Sequence, residues 1–269
     1  MSFDKNYWHD ANCAKAFWDQ KNGRPYKELV RDTFNSVELR EGDQWLDLGC
    51  GSGQLTATLW QSGGGTLGRI LATDCAAVNV DAIARLRTTV TPLATEAQIQ
   101  FQQVDFSHGL PQIATGSFDG VISGLAISYA ESVDPVTGQY NDTAFMNLLH
   151  EIARVLKPSG QFVFSINVPN PGFWKVLFRS LKGGHKVTHA GRVLANALRM
   201  QFYGRWLKQE ARRGRFHFYP IDELVARLAR SGFEVTSHRV SYAGQAYVVQ
   251  ARRKLVATHG GRFAHQASA

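Results

Sequence analysis

The chain is poor in everything that would place it outside a cell or across a membrane. It has only three cysteines, Cys13, Cys50 and Cys75. They are too few and too scattered for a disulfide framework or a zinc site. No apolar run approaches the ~18–20 residues that span a bilayer. The opening MSFDKNYWHD lacks the apolar stretch of a secretory signal. The expectation is a reduced, cytoplasmic protein. Acidic residues are scarce in one place: between Phe173 and Arg215 stand eleven Lys and Arg and a single acid, Glu210. That segment carries +10 of a chain whose net charge is +8, which leaves −2 for the rest. The basic character therefore belongs to one segment and points to an anionic partner there or to a solvated basic face.

What is present is ordinary for a globular protein. The 269 residues are 44% hydrophobic and 19% charged, enough for a large core. Residues 1–40 read as helical and rich in aromatics, with Leu29, Val30, Thr33 and Phe34 on one helix face. Strand and helix signals then alternate. Strands are expected at 44–48, 69–73, 99–104, 119–123 and 161–168, and helices from Gln54, over 80–90 and over 143–156. After the turn cluster Pro169–Asn170–Pro171–Gly172 comes the basic segment. A helix over 221–231 and strands over 234–240 and 245–251 follow. The last two strands are joined so closely that they pair antiparallel.

Alternating strands and helices predict an α/β fold: a Rossmann-like, doubly wound sheet of seven strands, mostly parallel, with an antiparallel last strand. The expected organisation is an N-terminal helical segment (1–40), a cofactor-binding core (41–168), a basic helical cap (169–215), the end of the core sheet (216–251) and a frayed tail (252–269). In such sheets ligands bind beyond the carboxyl ends of the strands. Asp47, Asp74, Asp105 and Ser123 all fall at or just past those ends. The densest signal is Trp45–Leu46–Asp47–Leu48–Gly49–Cys50–Gly51–Ser52–Gly53. Its glycines let the backbone approach a ligand, and the helix behind them offers unpaired N–H groups.

These residues resemble the class I S-adenosylmethionine-dependent methyltransferases, in particular the small-molecule branch that includes quinone-biosynthesis enzymes. The resemblance covers residues 40–168 and 216–251. It rests on five motifs in order: 46–53, Ala72–Thr73–Asp74, Val104–Asp105–Phe106, Phe118–Ser123 and Arg154–Gly160, the last with Ser159 where the family has glycine. A nicotinamide dehydrogenase spaces its glycines as G-x-G-x-x-G, whereas this chain has Gln54 at the third position.

The resemblance implies S-adenosylmethionine as cofactor. Gly49, Gly51 and Gly53 would pass its methionine part and Asp47 would face that end. Asp74 would accept from the ribose hydroxyls, with Cys75 beside the adenosine. Asp105 would accept from the adenine amino group, and Phe106 would pack on the ring. Ser123, Gly124 and Leu125 would lie beside the sulfonium.

The implied reaction is direct in-line methyl transfer to a small molecule, lipophilic or anionic. A base is needed only if the acceptor must lose a proton; the candidates are His185, His189, His217 and Tyr219, with His150 read as surface. The carboxylate cluster of metal-dependent catechol enzymes is missing, so no metal is expected. Basic amphipathic helices over 173–182 and 192–208 could dock on a membrane surface or cover the pocket. The alternatives are a nucleic-acid methyltransferase that holds phosphates with the basic segment, or a cofactor-binding partner without activity. The nucleobase motif Asn-Pro-Pro-Tyr is absent after the fourth strand, which counts against the former.

Overall fold

A computed structural model describes Trp8, residues 23–172 and residues 204–255. Outside the described residues lie most of the N-terminal segment with Cys13, the basic helices expected over 173–182 and most of 192–208, His185, His189 and the tail beyond 255.

Seven strands form one sheet: β1 (Gln44–Leu48), β2 (Arg69–Asp74), β3 (Ile99–Gln103), β4 (Phe118–Gly124), β5 (Leu156–Asn167), β6 (Phe233–Ser241) and β7 (Ala246–Arg253). Their order is β3-β2-β1-β4-β5-β7-β6. β1 pairs parallel with β2 and β4, as do β2 with β3 and β4 with β5. β7 runs antiparallel to both its neighbours. Six strands therefore end at the same edge, and the order reverses between β1 and β4, where the crevice of a doubly wound sheet lies.

Strand periodicity sorts the core into two layers. Trp45 of β1 and Ile70 and Ala72 of β2 face one side. There they pack with Leu55, Leu59 and Trp60 of α2 (Gln54–Ser62), with Ile83 and Leu86 of α3 (Asn79–Arg87), and against Val30 and Phe34 of α1 (Arg24–Phe34). Leu46, Leu48 and Leu71 face the other side. They join Phe145, Leu148, Leu149 and Ile152 of α4 (Thr143–Val155), and Leu224 and Leu228 of α6 (Ile221–Arg230). A further helix, α5, spans 204–212. No helix among the described residues is long and apolar enough to cross a membrane.

Three boundaries differ from the sequence reading by more than one residue. β5 starts at Leu156, not 161, because Leu156 pairs with Phe118 before the Lys157–Gly160 bend, after which Gln161 pairs with Gly120. α3 ends at Arg87, short of 90. β7 continues through Arg252 and Arg253, which pair with Glu234 and Phe233, so the expected tail from 252 is strand at its start.

Candidate functional site

The loop after β1 carries the centre of the site. Gly49 and Cys50 both donate to Thr73 O, at 2.8 and 2.9 Å, which ties the loop to the end of β2. The three glycines have different reasons to be glycine. At Gly49, with φ +71°, a Cβ would stand 2.3 Å from Ala126 Cβ and 3.6 Å from the Phe106 ring. At Gly51, with φ +51°, a Cβ would meet nothing within 4 Å. At Gly53, with φ +82°, it would strike Leu86 and Ile83 at 2.6 and 2.7 Å. Gly53 thus serves helix packing beneath α3, where the sequence reading had it beside the ligand. Gly51 is the one whose missing side chain faces open space.

Asp47 is fully buried. Thr56 of α2 donates to its Oδ2 at 2.7 Å, and its Oδ1 has no hydrogen-bond partner among the described residues. Burial, helped by the nearby Asp74 charge, pushes its carboxyl up to about 7. Asp74 closes β2. Its Oδ2 accepts from Gly51 N and its Oδ1 from Ala76 N, both at 2.9 Å. Burial holds its carboxyl above the usual range, against those two bonds. Side-chain bonds from Asn79 and Cys75 also favour the ionised form.

The neighbouring wall is built from loop ends. Cys75 is a half-buried free thiol, and its carbonyl accepts from Gln103 Nε2 at 2.9 Å. Asp105 caps the turn Phe106–His108 by accepting from Ser107 N at 3.0 Å. Gly124 lies against Leu55, which a Cβ would meet at 2.9 Å. The Ser123 hydroxyl is fully buried and donates to Leu48 O at 2.7 Å, so it ties β4 to β1. Leu125, at φ 56°, donates its N–H to Ser165 O at 3.0 Å.

Of the four expected base candidates, the structure describes two. His217 is buried, with Nε2 at 2.9 Å from Ala130 O and Nδ1 at 3.3 Å from the Tyr219 hydroxyl. Burial lowers its pKa. Both ring nitrogens are engaged, and its N–H donates to Ser128 O at 2.9 Å; His217 thus pins the 215–219 segment to the loop after β4. Tyr219 donates to Asp142 at 3.3 Å and lies under the Arg227 guanidinium, 3.7 Å from its ring centre. Burial pushes its hydroxyl up to about 12. Neither is arranged as a base.

The sequence reading missed an aromatic wall. Tyr129, just past β4, lies 4.5 Å from Trp8, 4.9 Å from Phe216 and 6.2 Å from Phe218, and Trp206 of α5 lies 5.3 Å from Phe216. Asn167, at the end of β5, donates to the Tyr129 hydroxyl at 2.9 Å. Trp206 and Leu207 are buried in this cluster, so this end of the basic segment turns its apolar face inward. The spacing of Trp206 with Phe216 and Phe218 is the only signal in sequence, and it has no fixed period.

Against known proteins, residues 46–164 match the family described as a methyltransferase domain. Residues 46–164 thus form a methyltransferase domain. An uncharacterized protein of Methanocaldococcus jannaschii is 25% identical to this methyltransferase over 223 residues, 82% of this chain and 73% of that one. Among solved structures, a chain from the Haloferax volcanii complex of the Trm112 methyltransferase activator is similar in fold. It has a TM-score of 0.61 at 17% identity and covers 94% of this chain and 100% of its own. A SAM-dependent methyltransferase of Aquifex aeolicus has a TM-score of 0.56 at 14% identity, with 91% and 98% covered.

The crevice of this methyltransferase suits that cofactor. A fully buried carboxylate oxygen without a partner is costly unless something completes its bonding. A Cβ at Gly51 would meet nothing within 4 Å, so the turn after β1 leaves room, and the α-ammonium of S-adenosylmethionine is a donor of the required charge. Among the described residues no group of three or more His, Cys, Asp and Glu could hold a metal ion.

Proposed function

We propose that the enzyme transfers a methyl group in line to a small lipophilic molecule lodged against the ring wall beyond β4 and β5. The observation that carries this reading is the wall itself: Trp8, Tyr129, Trp206, Phe216 and Phe218 gathered at the carboxyl edge of the sheet, beside the loop that leaves β4. Sites for small ligands are mostly apolar, with few polar groups to orient the guest. Here those groups are the Tyr129–Asn167 pair and the Ser128 hydroxyl, which is buried without a partner among the described residues.

The cofactor supplies a methyl group already activated on a positively charged sulfur. The residues bind and orient. In this reading Asp47 receives the methionine ammonium, Gly51 leaves room for the chain to pass, Asp74 accepts from the ribose hydroxyls, and Asp105 and Phe106 receive the adenine. Gly124 and Leu125 form the floor between donor and acceptor. Holding the two in near-attack geometry and excluding water can account for most of such a rate enhancement. His217 and Tyr219 frame the pocket, and the reading assigns no general base among the described residues. A cytoplasmic setting fits the free thiols Cys50 and Cys75.

Incubation with methyl-labelled cofactor and separate pools of lipid extract, RNA and soluble metabolites tests the assignment. Label is expected in the lipid extract, and Trp206→Ala should lower it about tenfold or more by opening the wall. Label confined to RNA would replace this reading with the nucleic-acid one.

A further inference from the structure

The outer face of α5 carries a stripe of positive charge. Trp206, Leu207 and Glu210 turn inward and are buried. Arg205, Lys208 and Arg212 stand at i, i+3 and i+7 and share the opposite face. Arg205 and Arg212 are exposed and Lys208 is half-buried. None of the three forms an ion pair among the described residues. The nearby acids are already engaged, because Glu131 and Glu210 both pair with Arg215.

Beside the end of α5 stands a short hairpin, in which Ser132 and Val133 pair with Asn141 and Tyr140. A Cβ at Gly214, just past α5, would stand 3.4 Å from Tyr140 O, and the Arg215 guanidinium lies 5.4 Å from the Tyr140 ring centre. The hairpin presents Val136, 91% exposed, and Val133, 49% exposed. Single exposed valines are common, but Val136 is held out by a rigid turn. Asp134 Oδ1 accepts from Val136 N and Thr137 N, both at 2.8 Å. Gly138 N donates to Asp134 O, and Asp134 N to Gln139 O, again at 2.8 Å. A preorganised apolar tip loses little freedom when a partner covers it. Helix and hairpin both adjoin the ring wall, through Trp206 and through the loop that carries Tyr129.

We propose that this rim docks on an anionic lipid bilayer, with Val136 entering the head-group region and Arg205, Lys208 and Arg212 against the lipid phosphates. An apolar tip beside unpaired cations complements a surface that is negative outside and apolar beneath. A nucleic acid would use the cations but gain nothing from the valine. Docking here sets the ring wall next to the phase in which a lipophilic acceptor dissolves. It goes beyond the methyl-transfer reading, and the labelling result does not depend on it.

Co-sedimentation of the full chain with phosphatidylcholine vesicles, with and without phosphatidylglycerol, tests the docking. Binding is expected only with the anionic lipid and should weaken as salt is raised. Arg205→Glu combined with Arg212→Glu should lower it about twentyfold or more, from about fivefold per lost cation. Val136→Asp should lower it about fivefold or more by keeping the tip out of the head groups. Both variants should bind S-adenosylhomocysteine, the demethylated cofactor, like the wild type, which shows that they fold. Wild type left in the supernatant with anionic vesicles, or either variant pelleting like the wild type, would overturn the docking. RNA binding that the arginine variant loses, alongside no vesicle binding, would assign the stripe to nucleic acid instead.

Discussion

Thr56 holds one oxygen of Asp47 at 2.7 Å and leaves the other, fully buried, without a partner among the described residues. The carboxyl is pushed up to about 7, chiefly by burial and secondarily by Asp74. The sign of the consequence follows. Between the unfolded value near 4 and about 7 the native state binds more protons than the unfolded one, so this group makes stability fall as pH rises through that window. Asp47→Asn should remove that part of the slope in urea melts from pH 5 to 8. A cationic ammonium favours the ionised form, so wild-type affinity for S-adenosylhomocysteine should rise between pH 6 and 8. The variant should bind about tenfold more weakly at pH 8, with a flatter profile. Identical profiles for the two proteins would contradict the placement of charge at Asp47.

Gly49 and Gly51 make a matched pair with opposite expectations. Both have positive φ, but a Cβ at Gly49 would stand 2.3 Å from Ala126 Cβ, whereas at Gly51 it would meet nothing within 4 Å. Gly49→Ala combines a backbone penalty with overpacking and should cost about 2–4 kcal/mol of stability. Gly51→Ala should cost only about 1–2 kcal/mol, from the dihedral alone, yet lose more cofactor affinity, because its methyl enters the space assigned to the ligand. Chemical denaturation and calorimetry on the two variants check the crossing of the two rankings.

The parallel sheet was legible because its strands are buried on both faces and bounded by turn residues. The motif from Trp45 to Gly53 located the crevice for the same reason: one stretch of chain contains the strand, its acid and the turn. The ring wall was not legible. Trp8, Tyr129, Trp206 and Phe216 come from four separate stretches, and only the folded sheet edge brings them together. His217 stood out as a base by its residue type. Its environment, a main-chain carbonyl on one nitrogen and a tyrosine hydroxyl on the other, could not be read from its neighbours in sequence. The boundary at Leu156 was missed because a helix stop and a strand start share the same residues, and pairing with Phe118 decides between them.

Ser159 sits at φ 60° in the bend between Leu156 and Gln161. It is exposed, and its carbonyl accepts from Arg252 at 3.3 Å. Left-handed backbone costs a residue with a Cβ on the order of 1 kcal/mol relative to glycine, offset in part by the greater entropy glycine adds to the unfolded chain. Ser159→Gly should therefore raise stability by about 0.5 kcal/mol with cofactor binding unchanged. A fall in the urea midpoint would show that the serine contributes something the bend geometry does not contain.

Arg215 and Glu210 lie in the segment that closes over the ring wall, and their side chains are 2% and 0% exposed. Arg215 reaches Glu210 at 3.2 Å and also pairs with Glu131, on the loop after β4. The cluster thus clamps α5 to the loop that presents Tyr129. Removing one member leaves a buried charge without its counterpart, which costs about 3–5 kcal/mol. Glu210→Gln keeps the shape and should cost less than Arg215→Ala. Both should loosen the wall before they touch the cofactor crevice, which lies on the other side of β4. Hydrogen exchange on 204–218 should accelerate in both variants while S-adenosylhomocysteine affinity holds within about twofold at a temperature where the fold is intact. Faster exchange in the loop 49–53 as well would mean that the wall and the crevice open as one cooperative unit, and that the acceptor pocket cannot be remodelled without disturbing the donor.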